Sequence, residues 1–391
     1  MQPTPRGRPR LLVVPEFSAT GGTRTFFLTI ARYYARSPFE VYVALEDWQI
    51  DPEIERIARE CNLRLVQRRS LVRPKSLMAR FPLYLIAGWL EVRPLVSQLQ
   101  PDLLVVSVGT PDRWLALLAA SPSILYFVHS YPEAIMGSPW RAWVKLQVIS
   151  RILSSGKKLV TVSNFARRQI LAAWTRDGRS ANIQVIPNTT RPDMPERPQR
   201  TRAESGAVNV ITMGHVVSYK NPHLWLDVAE AVVRRNGGGR LRFLWAGDGV
   251  LLEECRSAAQ RRGLSDLVQF VGPTGNAARF LETGDIYFQP SDKESQGISV
   301  LEAMRFSLPC VVTAVGGLQE TVQDGETGFV VPPGDVEGMA AAIFALVRDA
   351  GLRRRLGHAG SQRYAAEYSF RLWESRVRRL HEEMLAGSLR V

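Results

Sequence analysis

The chain has 391 residues, 45% of them hydrophobic and 22% charged, with a formal net charge of +13. That length suits two domains with separate cores, and the apolar content excludes a disordered chain. Three widely separated cysteines, Cys61, Cys255 and Cys310, lack metal-ligand spacing and read as reduced thiols of a cytoplasmic protein. No apolar stretch approaches the ~20 residues of a spanning helix, and the run at 11–14 is too short for a signal peptide. The excess positive charge lies in the first half: residues 1–200 carry 28 Lys+Arg against 15 Asp+Glu, and residues 201–391 carry 22 of each. Such a bias draws anionic partners, and without a nucleic-acid motif it speaks for lipid before nucleic acid.

Taken in order, the chain opens on a strand at 11–14, a loop ending in Gly21-Gly22, and an amphipathic helix to about Tyr34. The paired glycines either form a plain turn or let the backbone approach a ligand closely. Apolar or β-branched runs follow at 41–45, 63–66, 103–106, 124–128 and 158–162, most of them separated by helical patterns, as expected for a parallel sheet with crossover helices. Between them, residues 68–80 hold five basic residues and no acidic one, followed by an apolar run to Leu90. Trp140, Arg141, Trp143 and Lys145 form a second basic-aromatic cluster. Both suit the interface of an anionic bilayer, the alternative being an internal helix with a solvated rim. His129 ends the run at 124–128, where it is either a structural hydrogen-bonding residue or, by its strand-end position, a ligand-facing one.

After the run at 183–186, the Pro-rich residues 187–206 read as a linker. A second alternating series occupies 208–213, 241–246, 268–271, 286–289, 310–313 and 329–331, and a final helix spans about 370–384. The organisation expected is an N-terminal domain at 1–186, the linker at 187–206, a C-terminal domain at 207–368 and a terminal helix at 369–391. Both domains are α/β, doubly wound on parallel sheets.

Glu294 and Glu302 stand eight positions apart around a loop that leaves an apolar strand at Gln289-Pro290 and enters a helix near Ile298. Free backbone N–H groups at such a helix start attract an anion such as a diphosphate. Carboxylates repel phosphate, so the two glutamates fit hydroxyl groups better, and a ligand with a diphosphate and hydroxyl-rich rings is a nucleotide sugar. Ordinary surface charge is the alternative for both. After the strand at 208–213, Lys220 is placed to neutralise a diphosphate as a point charge.

Downstream stand Pro309-Cys-Val-Val-Thr-Ala-Val-Gly-Gly-Leu-Gln-Glu320 and Asp324-Gly-Glu-Thr-Gly-Phe-Val-Val-Pro-Pro-Gly-Asp335. Together with the glutamate pair, these resemble the retaining GT-B glycosyltransferases of family 4. The resemblance implies the GT-B fold, two Rossmann-like doubly wound domains facing a central cleft, with the last helix crossing back to the first domain. It implies that Glu294 holds sugar hydroxyls, that Gln296, Gly297 and Ile298 offer backbone N–H groups to the distal phosphate, and that Glu302 takes the ribose hydroxyls. Lys220 would bind the donor diphosphate, and Gly272-Pro273 would belong to the loop at the base. His129 would line the cleft near the transferred sugar, and Gly21 and Gly22 would shape the acceptor side. His215 stands where the family carries Arg, and an imidazole lacks the permanent charge and the guanidinium fork.

The implied reaction is metal-independent transfer, with retention, from a nucleoside-diphosphate sugar to a hydroxyl of a glycan or lipid-linked acceptor, without a cofactor or nucleic acid. The place implied is the cytoplasm, with peripheral contact at the membrane face. Two other functions share the fold: a non-catalytic glycan- or membrane-binding partner, kept open by His215, and a nucleotide-sugar epimerase. Nucleotide binding separates the first from an enzyme, and product formed without acceptor identifies the second.

Overall fold

The structure is a computed structural model and describes residues 7–17, 21–69, 81–108, 123–130, 157–174, 183–195, 206–236 and 241–388. The cluster of Trp140, Arg141, Trp143 and Lys145 and most of the basic stretch at 68–80 lie outside these residues. The chain divides into two compact units, Met1–Pro187 with Trp373–Val391, and Asn188–Leu372.

The first unit is built on seven parallel strands: β1 (Arg10–Pro15), β2 (Glu40–Leu45), β3 (Arg64–Gln67), β4 (Leu103–Val108), β5 (Ile124–Val128), β6 (Lys158–Thr161) and β7 (Ile183–Val185). They lie in the order β3-β2-β1-β4-β5-β6-β7. Central strands such as Leu-Leu-Val-Val in β1 and Ile-Leu-Tyr-Phe-Val in β5 are apolar throughout because helices cover both faces of such a sheet. The order reverses between β1 and β4, the switch point where open α/β sheets bind ligands. Helix α1 (Gly22–Tyr34) follows β1, α2 (Pro52–Glu60) follows β2, α3 (Phe81–Leu99) leads into β4 and α4 (Asn164–Trp174) follows β6.

The C-terminal helix Phe370–Ser388 completes this unit's core. Its Trp373 meets Phe26 and Tyr33 edge-on, and its buried His381 packs among Tyr33, Tyr34 and Phe39. Lys158 and Glu383 form an ion pair across the same contact. Arg68, at the start of the basic stretch, is buried between Glu46 and Glu91 rather than presented to a membrane.

The second unit holds six parallel strands, β8 (Val208–Met213), β9 (Leu241–Ala246), β10 (Val268–Gly272), β11 (Ile286–Gln289), β12 (Cys310–Thr313) and β13 (Gly328–Val331). Their order, β10-β9-β8-β11-β12-β13, puts the switch point between β8 and β11. Helices α5 (Pro222–Asn236), α6 (Leu252–Arg261), α7 (Ala277–Glu282), α8 (Ile298–Arg305), α9 (Leu318–Thr321), α10 (Val336–Arg348) and α11 (Ala350–Arg363) flank the sheet. One core layer centres on Trp225, Phe243 and Trp245, the other on Met304, Phe306 and Tyr287.

Residues 188–194, in the stretch expected as linker, pack tightly on this second unit. The Asn188 N–H donates to Gln296 Oε1 at 2.7 Å, and the Thr190 hydroxyl lies 2.6 Å from that of Tyr364. Arg305 donates to Thr190 Oγ1, the Arg191 carbonyl and the Met194 carbonyl. Proline content alone reads as linker, whereas these bonds come from residues over a hundred positions away.

Candidate functional site

Both loops at the switch point of the second unit carry charge. Lys220 closes a short 3-10 turn (Ser218–Lys220) after β8, and Glu294 lies in the loop after β11. The structure brings the two together as a largely buried ion pair. Glu294 Oε1 also accepts from Gln289 Nε2 at 2.6 Å and Ser291 Oγ at 3.2 Å. Gln289 is held in turn, its Oε1 lying 2.9 Å from Ser299 Oγ and 3.0 Å from the Tyr287 hydroxyl. A carboxylate oxygen with three donors is fixed in direction, while its partner oxygen stays available to a ligand.

Two glycines fix the path of this loop. Gly297 is the N-cap of α8 with φ 88°, and a Cβ there would stand 2.7 Å from Leu318 Cδ2. Gly316 has φ 54°, and a Cβ would fall 1.8 Å from the Glu294 carbonyl oxygen, a position only glycine can occupy. The neighbouring Gly317 N–H donates to that same carbonyl at 3.0 Å. The Gly-Gly turn after β12 is therefore the floor on which the Glu294 loop lies.

Helix starts in this unit differ, and α6 and α9 also begin without a side-chain cap, each with acid in its first turn. Asn276, Asp335 and Asp349 cap α7, α10 and α11 with their side chains. Helix α8 has no side-chain cap and no acid in its first turn, as an anion site would require. The Gln296 side chain is committed to Asn188, and its carbonyl accepts from Thr321 Oγ1 at 3.1 Å.

Glu302 lies on the second turn of α8 and is only 5% exposed. Burial pushes its carboxyl up to about 7, against the pull of the Arg191 and Arg305 guanidiniums. Among the described residues it accepts no hydrogen bond, though its oxygens are not among the fully buried side-chain atoms left without one. His215, separated from β8 by Gly214, is partly buried, and the adjacent Val216 N–H donates to the Asp248 carbonyl. Gly272 ends β10 with φ 79°, its carbonyl accepting from the Gly247 N–H, and Pro273 beyond it is exposed.

The remaining candidates belong to the first unit. Gly21 caps α1 with φ 103°, again without a side-chain cap or an acid in the first turn, and Gly22 begins the helix. His129, just past β5, places Nε2 2.9 Å from Ser107 Oγ and rests on the Phe26 ring at 4.2 Å. Burial holds its pKa down to about 4, so the imidazole is neutral at pH 7. Gln289, Ser107 and Arg305 escaped the sequence reading. The first two left a trace, a lone polar residue inside the apolar strands Ile-Tyr-Phe-Gln and Leu-Leu-Val-Val-Ser-Val.

Two family models match this chain, Glycosyltransferase Family 4 over residues 20–193 and Glycosyl transferases group 1 over residues 193–363. The chain belongs to this family. N-acetyl-alpha-D-glucosaminyl L-malate synthase of Bacillus anthracis is 32% identical over 143 residues, 37% of this chain and 38% of that protein. Phosphatidyl-myo-inositol mannosyltransferase of Mycobacterium leprae is 27% identical over 290 residues, 71% of each chain. The matches at 32% identity span between 38% and 55% of those relatives' lengths. The fold matches Anabaena HepE, solved with UDP-glucose, at TM-score 0.74 and 17% identity over 96% of this chain and 99% of that one. The fold is GT-B, two Rossmann-like parallel-sheet units.

Proposed function

We propose that this chain is a retaining, metal-independent glycosyltransferase that moves a sugar from a nucleoside-diphosphate sugar to a hydroxyl of a glycan or lipid-linked acceptor. The observation that carries this is the β8–β11 switch point, where Lys220 and Glu294 meet beside the start of α8, which has no side-chain cap, and a buried Glu302 follows that accepts no hydrogen bond among the described residues. In this reading Lys220 and the amides of Gln296, Gly297 and Ile298 take the diphosphate, supplying the charge compensation that a divalent ion would otherwise provide. Glu302 accepts from the ribose hydroxyls, and Glu294 orients the transferred sugar. His215 donates one hydrogen bond toward phosphate in place of the family's arginine, and the 272–273 turn meets the base through its main chain.

Catalysis then consists of positioning and charge stabilisation, with the leaving diphosphate accepting the acceptor's proton. Neutral His129 serves as a hydrogen-bonding group toward the sugar, and the glycine-capped start of α1 shapes the acceptor side. The basic surplus of the first 200 residues supports peripheral contact with an anionic membrane and a lipid-linked acceptor. A thermal-shift screen of nucleoside-diphosphate sugars, beginning with UDP-glucose, tests the reading, since a ligand that binds only the folded chain raises its melting point. Glu294→Ala should retain nucleotide binding and lose transfer. If no nucleotide sugar stabilises the chain, the proposal is wrong.

A further inference from the structure

Trp225, Trp245 and Trp373 are buried, whereas Trp48 is 61% exposed on the short 3-10 turn Asp47–Gln49 that follows β2. An exposed indole is ordinary when it is loose, but this one is fixed. Its N–H donates to Glu46 Oε2 at 2.9 Å, and Glu46 Oε1 accepts from the buried Arg68 at 2.7 Å. Arg68 is anchored in turn to Glu91. A capping box links Glu46 and Gln49, and Gln49 Nε2 reaches back to the carbonyls of Pro15 and Phe17 at the end of β1. Asp47 accepts from Gln67 at 2.6 Å. The turn is thus tied to β1, β3 and α3, and the indole's polar edge is already used. What remains for a partner is a rigid, flat apolar face at the carboxyl edge of the sheet, bordered by carboxylates.

From this arrangement we infer that Trp48 is a stacking platform for a sugar ring of the acceptor, an inference that rests on the glycosyl-transfer reading above. The C–H face of a pyranose packs on an indole, and the neighbouring Glu46 and Asp47 accept from its hydroxyls. Fixing the ring beforehand removes the ordering cost that a mobile side chain would add on binding. A membrane is the other partner that an exposed tryptophan suits. Residues 46–53 contain no base; Glu46 is paired with Arg68, and Asp51 and Glu53 with Arg24, while Asp47 beside the indole has no ion pair among the described residues and opposes anionic lipid there.

The test uses the full chain labelled with 5-fluorotryptophan, with the Trp48 fluorine resonance assigned by Trp48→Phe. Maltose, cellobiose, lactose and methyl α-mannoside are the probes, each titrated with and without UDP. At least one should shift the Trp48 resonance saturably, and Trp48→Ala should weaken that saccharide's affinity about tenfold, with Trp48→Phe intermediate. UDP affinity, which reads the second unit, should stay unchanged in both variants. A Trp48 resonance silent to every saccharide, or one that responds only to phosphatidylglycerol vesicles, overturns the platform, as does unchanged saccharide affinity in Trp48→Ala. UDP binding alongside a silent Trp48 would refute the platform alone. Saccharide binding at Trp48 without UDP binding would support a sugar site there and refute the donor reading.

Discussion

Glu302→Gln should make the protein more stable and a poorer nucleotide binder. Burial raises the Glu302 carboxyl from 4.5 to about 7. The folded chain therefore holds a proton that the unfolded chain releases, and folding stability falls as pH rises from 4.5 through 7. At 1.36 kcal/mol per pH unit, the ionisation penalty is about 2 kcal/mol at pH 6 and about 3 kcal/mol above pH 7. Glutamine is isosteric and neutral like the protonated acid, so the variant escapes the penalty and keeps the shape. Its melting transition should exceed the wild type's by a margin that widens between pH 6 and pH 8. Donation from ribose hydroxyls favours the charged carboxylate, so the wild type's affinity for UDP should rise with pH across this range. The variant should lose that dependence and bind roughly 10- to 100-fold more weakly, the worth of charge-assisted hydrogen bonds. Comparing both proteins on the same nucleotide cancels the nucleotide's own titration. Equal stability at pH 8, or equal affinity for UDP, would refute the claim that Glu302 is a buried carboxylate awaiting a ligand.

Lys220→Ala should weaken UDP binding at least tenfold by calorimetry, since a charge-assisted contact to phosphate is worth about 1.5–3 kcal/mol. Gly316→Ala should push the Glu294 carbonyl away, lowering stability by roughly 1–3 kcal/mol and turnover by about 100-fold, checked by melting and by transfer rate. His129, held near 4 by burial, should show an imidazole NMR resonance, assigned with His129→Gln, that stays neutral down to about pH 5. Because its folded pKa lies below the unfolded value, its share of stability is lost as pH falls from 6.5 toward 4, and a resonance titrating near 6.5 would contradict the burial.

Strand positions were legible because parallel strands covered on both faces leave continuous apolar runs. The run at 286–289 coincides with β11, and that at 310–313 with β12. The turn into α8 was legible too, since Gly297 requires a positive φ that the sequence announces with a glycine. Residues whose roles depend on distant partners left little or no trace. Thr190 and Met194 read as linker because their partner is Arg305, and Arg68 read as part of a membrane-facing basic stretch because its partners Glu46 and Glu91 lie 22 and 23 positions away. Charge composition shows how many ions a segment carries, and only the fold shows which are already neutralised.

The same logic explains why the Gly316-Gly317 turn matters as much as the glutamate it supports. The amides of α8 attract an anion only while no side chain caps them, and Glu294 can orient a sugar only while its backbone stays beside those amides. Gln289 and Lys220 aim the Glu294 side chain, and the glycine turn sets its main chain through a contact that admits no Cβ. A side-chain cap introduced at position 297, such as Gly297→Asp, would do the reverse of a stabilising helix cap elsewhere in the unit. It would fill the anion site with its own carboxylate, add strain at φ 88°, and remove nucleotide binding, whereas the native caps Asp335 and Asp349 stabilise helices that have no ligand to hold.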